Sequence, residues 1–125
     1  MARLELTPKT MLGSYPSLPL TTNTSDFVFT AAGATFADGA GVLLTGFEIL
    51  LVYNANVAAQ TVTISSVADD LNRTGDITAY SIGAGEYAVF GPFKEKGWQQ
   101  SASKKLYFAA SAADVKFAVL KLPTN

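Results

Sequence analysis

Between Phe47 and Tyr53 the chain is apolar on both sides of an extended backbone. Phe47, Ile49, Leu51 and Tyr53 fall on one face, and Leu50 and Val52 on the other. Successive side chains of a strand point to opposite faces, so this segment has to be covered twice. Either it is the central strand of a sandwich, or its outer face is covered by another subunit. Gly46 is expected to divide it from Val42 and its neighbours by a bulge or bend, because a glycine weakens pairing and eases curvature.

The rest of the chain repeats the pattern of short strands between turns. Phe27 and Phe29 alternate with polar neighbours, as in a half-buried strand, and residues 31–41 read as a small-sided loop of Ala, Gly and Asp. In the run 60–66, Val62 and Ile64 point inward while Thr61, Thr63 and Ser65 point outward. Strands follow at 76–82, 86–90, 106–110 and 115–122, separated by turn residues at 69–75, Gly83-Ala84-Gly85, Gly91-Pro92 and 111–114. No 3.6-residue period is sustained. The expectation is an all-β fold, a β-sandwich of jelly-roll type.

Residues 1–24 differ. Pro8, Pro16 and Pro19 with Gly13 keep the chain out of helix, yet Leu4, Leu6, Met11, Leu12, Tyr15, Leu18 and Leu20 make it too apolar for a solvated linker. It reads as an extended N-terminal arm before a sandwich domain at 25–125. The arm lies along its own domain or along a neighbour. Docking in trans is the sharper expectation, with Leu4, Leu6, Leu12, Tyr15, Leu18 and Leu20 as the anchoring side chains.

Composition limits the functions available. Apolar residues make up 49% and charged residues 15% of 125 residues, enough for one self-sufficient core but with few charges to keep the surface polar. That imbalance points to surface covered by a partner. The net charge is −1, and no stripe of Lys and Arg matches a phosphate backbone, so nucleic acid is not an expected partner. The apolar runs are strand-sized, far from the ~20 residues of a membrane helix, and no secretory signal is visible, so no membrane partner is expected.

Chemistry is sparse. The chain has no Cys and no His, which removes thiolate chemistry and the commonest general base and metal ligand. Asp69-Asp70 is the sole adjacent acidic pair and reads as a polar turn. A Ca²⁺ site from Asp69, Asp70 and Asp76 is the sharper but weaker reading, since the spacing departs from an EF-hand loop. Gly83-Ala84-Gly85 lacks the Lys and the following helix of a phosphate loop. Trp98, Tyr80, Tyr87 and Tyr107 could stack on sugar rings, although buried packing is favoured because no Asn, Asp or Arg cluster accompanies them. No catalytic residue, cofactor or metal is expected.

Several stretches resemble small proteins of tailed-bacteriophage structural modules: Glu48-Ile-Leu-Leu-Val-Tyr-Asn54, Thr61-Val-Thr-Ile-Ser65 and Asn72-Arg-Thr-Gly-Asp-Ile77. Gly91-Pro-Phe93, Gly97-Trp-Gln99 and Lys116-Phe-Ala-Val-Leu120 extend the likeness, which spans 46–123 with the Tyr15-Pro16-Ser17-Leu18-Pro19 arm before it. The resemblance implies a head decoration (capsid cementing) protein, made in the host cytoplasm and bound through the major capsid protein to the virion surface. Self-association as a trimer is expected, with Phe47, Leu50, Val52 and Trp98 as candidate interface residues. The rival readings are a head-fibre, tail or baseplate component and a carbohydrate-binding module.

Overall fold

A computed structural model describes residues 3–13, 18–19, 25–68, 71 and 75–123. Its ten strands are β1 (Leu4–Leu6), β2 (Lys9–Thr10), β3 (Thr30–Ala31), β4 (Ala40–Leu43), β5 (Glu48–Asn54), β6 (Gln60–Ser65), β7 (Ile77–Ile82), β8 (Tyr87–Phe90), β9 (Lys105–Ala110) and β10 (Val115–Lys121). Among the described residues helix is confined to a 3-10 turn at Phe36–Asp38 and one kinked turn at Glu95–Trp98, in which Gly97 has φ of 96°. The fold is all-β.

The strands form two mixed sheets. The first has the order β1-β4-β9-β6-β7; the second runs β2-β10-β5-β8, with β3 also paired to β10. The central pairings nest: β3 with β10, β4 with β9, β5 with β8 and β6 with β7, all antiparallel. β1 and β2 are added outside this nest in parallel, β1 along β4 and β2 along β10. Thr7 and Pro8 therefore carry the chain from the edge of one sheet to the edge of the other.

The doubly apolar segment becomes β5, flanked by β10 and β8 in the second sheet. Its alternation is read out cleanly: Glu48, Leu50, Val52 and Asn54 are buried, and Ile49, Leu51 and Tyr53 are half-buried on the other face. From the first sheet, Val42, Val62, Ile64, Leu106 and Phe108 meet Leu50, Val52, Val115, Phe117 and Val119 in a single core. Phe108 and Phe117 cross edge to face, their centroids 4.8 Å apart, which joins the two layers.

Gly46 lies outside the strands and, of the expected bulge or bend, forms the bend. It sits with φ of 101° in the corner where the chain leaves β4 in the first sheet and enters β5 in the second. That positive φ is costly for any residue with a Cβ. The small-sided stretch 31–41 is likewise more than a loop, because Ala31 ends β3 and Ala40 and Gly41 begin β4, both of the latter buried. Gly41 is needed small: a Cβ there would stand 3.3 Å from the Tyr107 ring. Residues 26–29 have no ladder pairing, and in this stretch only Thr30 and Ala31 join the sheet.

Residues 4–10 of the N-terminal segment join the edges of both sheets of their own chain, and residues 14–17 and 20–24 of the expected arm lie outside the described residues. Leu4 and Leu6 pack against the core of their own chain. Arg3 lies over the Tyr107 ring, 3.8 Å from its centroid, and Glu5 of β1 pairs across β4 with Lys105 of β9. Extended, proline-interrupted sequence satisfies its backbone donors as well at a sheet edge within the chain as at one outside it.

Candidate functional site

Among the described residues two polar side chains are fully buried, and both belong to the fold. Glu48 opens β5, and its carboxylate accepts hydrogen bonds from the backbone N–H groups of Thr45 (2.8 Å), Gly46 (3.1 Å) and Phe47 (3.1 Å) and from Thr45 Oγ1 (2.7 Å). It holds the corner between the sheets. Asn54 closes the same strand. Its Nδ2 donates to the carbonyls of Ala58, Ile82 and Gly83, and its Oδ1 accepts from the Asn56 N–H at 2.9 Å. Asn56 in turn donates from Nδ2 to the Asp114 carboxylate, so the loops after β5, β7 and β9 are tied at one end of the sandwich. Among the described residues no buried side-chain N or O atom lacks a partner. Neither Glu48 nor Asn54 is left with a free group to offer a substrate.

The exposed acidic chemistry is local. Asp76 Oδ1 accepts from the Ser66 N–H (2.7 Å) and from Ser66 Oγ (2.8 Å), and Gly75 N–H donates to Ser66 Oγ. The backbone N–H bond, followed by the hydroxyl bond, holds the Asp76 carboxyl below its ordinary value. Asp69 and Asp70 lie outside the described residues, as do Asn72, Arg73 and Thr74. Among the described residues no group of three or more acidic side chains converges.

The surface that stands out is the outer face of the second sheet. Cross-strand pairing sets Leu51 between Val89 and Ala118, and Tyr53 between Tyr87 and Lys116. Ile49 and Leu120 continue the row toward Phe47. Val89 is 64% exposed, Tyr87 66% and Phe47 42%. At one corner Tyr53 and Tyr87 stack at 4.3 Å, and Phe29 lies 6.2 Å from Tyr53 and 5.9 Å from Tyr87. Phe27, 5.8 Å from Phe29 and 43% exposed, extends the cluster. Lys116 is the one charged side chain whose strand position places it on this face among β5, β8 and β10.

The anticipated interface set divides. Phe47 is on the exposed face. Leu50 and Val52 are 1% and 0% exposed between the sheets, so they are core residues with no surface to give a partner; strand alternation sent them to the inner face. Trp98 is half-buried, edge-on to Phe93 at 5.0 Å, and packs on the core below the 91–104 connection. Tyr107 is half-buried beneath Arg3, whereas Tyr80 and Tyr87 are exposed. Of the arm residues, Leu4 and Leu6 are intramolecular packing residues, and Leu12 and Leu18 are exposed. Leu12 lines an apolar cavity of about 440 Å³ with Met11, Phe27, Leu120 and Pro123. Tyr15 and Leu20 lie outside the described residues.

The aromatic corner was not anticipated as a unit. Its signal was present in the alternation of Phe27 with Phe29 and in Tyr53 on the outward set of β5, but only the sheet order brings Tyr87 beside them. Comparison with protein-family models, with curated proteins and with solved structures finds no match to this chain.

Proposed function

We propose that this chain is a non-catalytic structural protein that works by surface association, and that it is a decoration protein on the outside of a tailed-phage capsid. The observation carrying the first part is the apolar outer face of the second sheet. Single exposed apolar residues are ordinary, but exposed Tyr87, Val89 and Phe47 adjoining half-buried Ile49, Leu51 and Tyr53 form a continuous apolar patch, which is the mark of a protein-binding surface. A sequence with neither His nor Cys, whose two buried polar side chains among the described residues are spent on the fold, supports a role without catalysis.

The second part rests on the resemblance of residues 46–123 to phage structural-module proteins. We read the nested pairings β3–β10, β4–β9, β5–β8 and β6–β7 as the wrapped ribbon of a jelly roll, a fold that viral capsid proteins use repeatedly. That reading is consistent with a particle component but does not select one, since fold is not function. The test is proteomic and structural. Purified particles of the parent phage should contain the chain in stoichiometric ratio to the major capsid protein, and a cryo-EM map should place it on the outer lattice. Its absence from purified particles overturns the reading, and density on a fibre, tail or baseplate moves it to that part of the virion.

A glycan-binding role is the second reading, favoured by the cluster of Phe27, Phe29, Tyr53 and Tyr87. Against it, the Tyr53 and Tyr87 rings stack on each other. A glycan array with the purified chain decides it: a specific signal lost in Tyr87→Ala supports sugar binding.

A further inference from the structure

Strand β8 ends the second sheet, with β5 on one side and, among the described residues, no strand on the other. The backbone bonds of β5 fix which way β8 points its own. Leu122 N–H donates to the Phe47 carbonyl at 2.9 Å, so the odd-numbered residues of β5 bond toward β10 and the even-numbered ones toward β8. Asn54 N–H accordingly donates to the Glu86 carbonyl at 3.0 Å. With Val52 opposite Ala88 and Leu50 opposite Phe90, this ladder uses Ala88 and Phe90. The N–H and carbonyl groups of Tyr87 and Val89 point the other way, out of the sheet edge. Among the described residues no backbone bond outside the ladders reaches either one, and the two are 66% and 64% exposed.

The remaining edges are guarded. β7 is bulged: its register shifts between Val62 and Ile64, Ala79 takes φ of 50°, and the Ala79 N–H donates to Thr63 Oγ1 at 3.0 Å. β1 has three residues and carries Glu5, while β2 and β3 have two each, and β2 opens on Lys9 directly after Pro8. Short strands, charges, prolines and bulges are the devices that keep an edge from pairing with another chain. β8 is also short, at four residues, but Tyr87–Phe90 holds no charge, no proline and no break in its register with β5.

Free backbone groups spaced along a strand are complementary to another extended backbone. A second copy of this chain supplies one, because each copy brings the same unguarded edge while its other described edges are blocked. About a two-fold axis through Ala88, Tyr87 faces the partner subunit's Val89, and Val89 faces the partner subunit's Tyr87. Each such pair exchanges both of its hydrogen bonds, so every outward group of the two residues is satisfied. An aromatic ring then lies opposite a β-branched side chain, a favourable cross-strand pair, and no like charges are opposed. Ala88 falls on the axis, at a closely spaced pair where a larger side chain would press against its own copy.

We propose that β8 is an isologous pairing edge, which joins two copies of the chain antiparallel into one continuous sheet. The pairing uses backbone groups at the edge, so it goes beyond the proposed association through the outer face and leaves that face free. It closes on itself as a dimer, in place of the expected trimer. The contact is small beside the roughly 800 Å² per partner of a standard interface, so the pair should form at about 1 mM and be largely absent at about 10 μM.

Amide hydrogen exchange of the full chain, followed by NMR at those two concentrations, tests it. The Tyr87 and Val89 amides should exchange roughly 4-fold more slowly at the higher one, the fall in monomer fraction for a Kd of about 100 μM. The Ala88 and Phe90 amides, already bonded to β5, should change less. Small-angle scattering should show the mass rising toward twice 13.2 kDa. Val89→Pro removes an outward N–H, which an edge strand tolerates, and should abolish both effects. The unsubstituted chain's exchange carries the test if that variant does not fold. Leu51→Ala, on the outer face one strand in, should leave both effects unchanged.

A monomer at about 1 mM or a discrete trimer overturns the proposal. So does a dimer whose Tyr87 and Val89 amides exchange as in the monomer, or one lost in Leu51→Ala and kept in a folded Val89→Pro. A chain that stays monomeric but is present on purified particles removes the pair and leaves the virion role standing. A pair in solution with no chain on particles does the reverse.

Discussion

The two sheets share one core but present different outer faces. On the first sheet, β6 turns Thr61, Thr63 and Ser65 outward, and β9 adds Lys105, which pairs with Glu5 of β1. On the second, the equivalent positions of β5 and β8 are Ile49, Leu51, Tyr53, Tyr87 and Val89. An antiparallel sheet packed on one side normally alternates apolar inward and polar outward. The first sheet obeys that rule. The second breaks it, and part of that face is used within the chain itself, where Phe29 packs beside Tyr53 and Tyr87 and Ala118 is only 5% exposed. That difference is the observation behind the proposed association through the second sheet's exterior.

The sharpest way to break this comparison uses adjacent leucines of β5. Leu50 is 1% exposed in the core, so Leu50→Ala should destabilise the chain by about 2–5 kcal/mol. Leu51 lies on the outer face, and Leu51→Ala should cost under about 1 kcal/mol in the unassociated chain. Chemical denaturation at low protein concentration measures both. Equal losses would mean that the outer face is already covered within one chain.

Glu48→Gln should follow in size. The amide keeps the shape but leaves one of the three backbone N–H groups of residues 45–47, or the Thr45 hydroxyl, facing a donor instead of an acceptor. Hydrogen bonds to charged groups contribute about 1.5–3 kcal/mol, and the loss should fall in that range in the denaturation midpoint. A neutral result would mean that this corner does not need the carboxylate.

Leu4→Ala probes the edge of the water-facing sheet. Leu4 is half-buried against the core of its own chain, so about 1–2 kcal/mol should be lost, independent of protein concentration. A loss that appears only at associating concentrations would return β1 to a neighbour's sheet.

The smallest effect concerns pH. Asp76 is held below its ordinary value by the Ser66 bonds, so between the folded and unfolded values the unfolded chain binds more protons than the folded one. Its contribution is therefore present above the unfolded value near 3.8 and is lost as pH falls through the lower folded value. NMR titration should find the Asp76 carboxyl below its ordinary value, and Ser66→Ala should move it back up. An unshifted Asp76 would show that this bond pair does not form in solution.

Strand alternation in β5, β6 and β10 could be read directly, because a period of two leaves only the choice of which set faces in. Val62 and Ile64 are inward as their polar neighbours require. For β5 the sequence left that choice open, with both sets apolar. The buried ends settle it: Glu48 and Asn54 share parity with Leu50 and Val52, and each finds buried partners at its own end of the sandwich. A polar residue at the end of an apolar strand reads as a strand boundary until its hydrogen-bond partners, as distant as Ile82, are known.

What the sequence determined by itself was the class of structure and the chemistry it lacks. Short apolar runs of period two between turn residues admit only an all-β fold, and neither His nor Cys is present to act. Which strand sits beside which was decided by tertiary structure, because pairing between distant segments depends on edge geometry that no local pattern encodes. Extended residues 4–10 could complete either this chain's sheets or another's. Closing onto β4 and β10 is what buries Leu4 and Leu6. The aromatic corner has the same origin: Phe27, Phe29, Tyr53 and Tyr87 become one surface only when β8 lies beside β5 and the chain before β3 crosses β10.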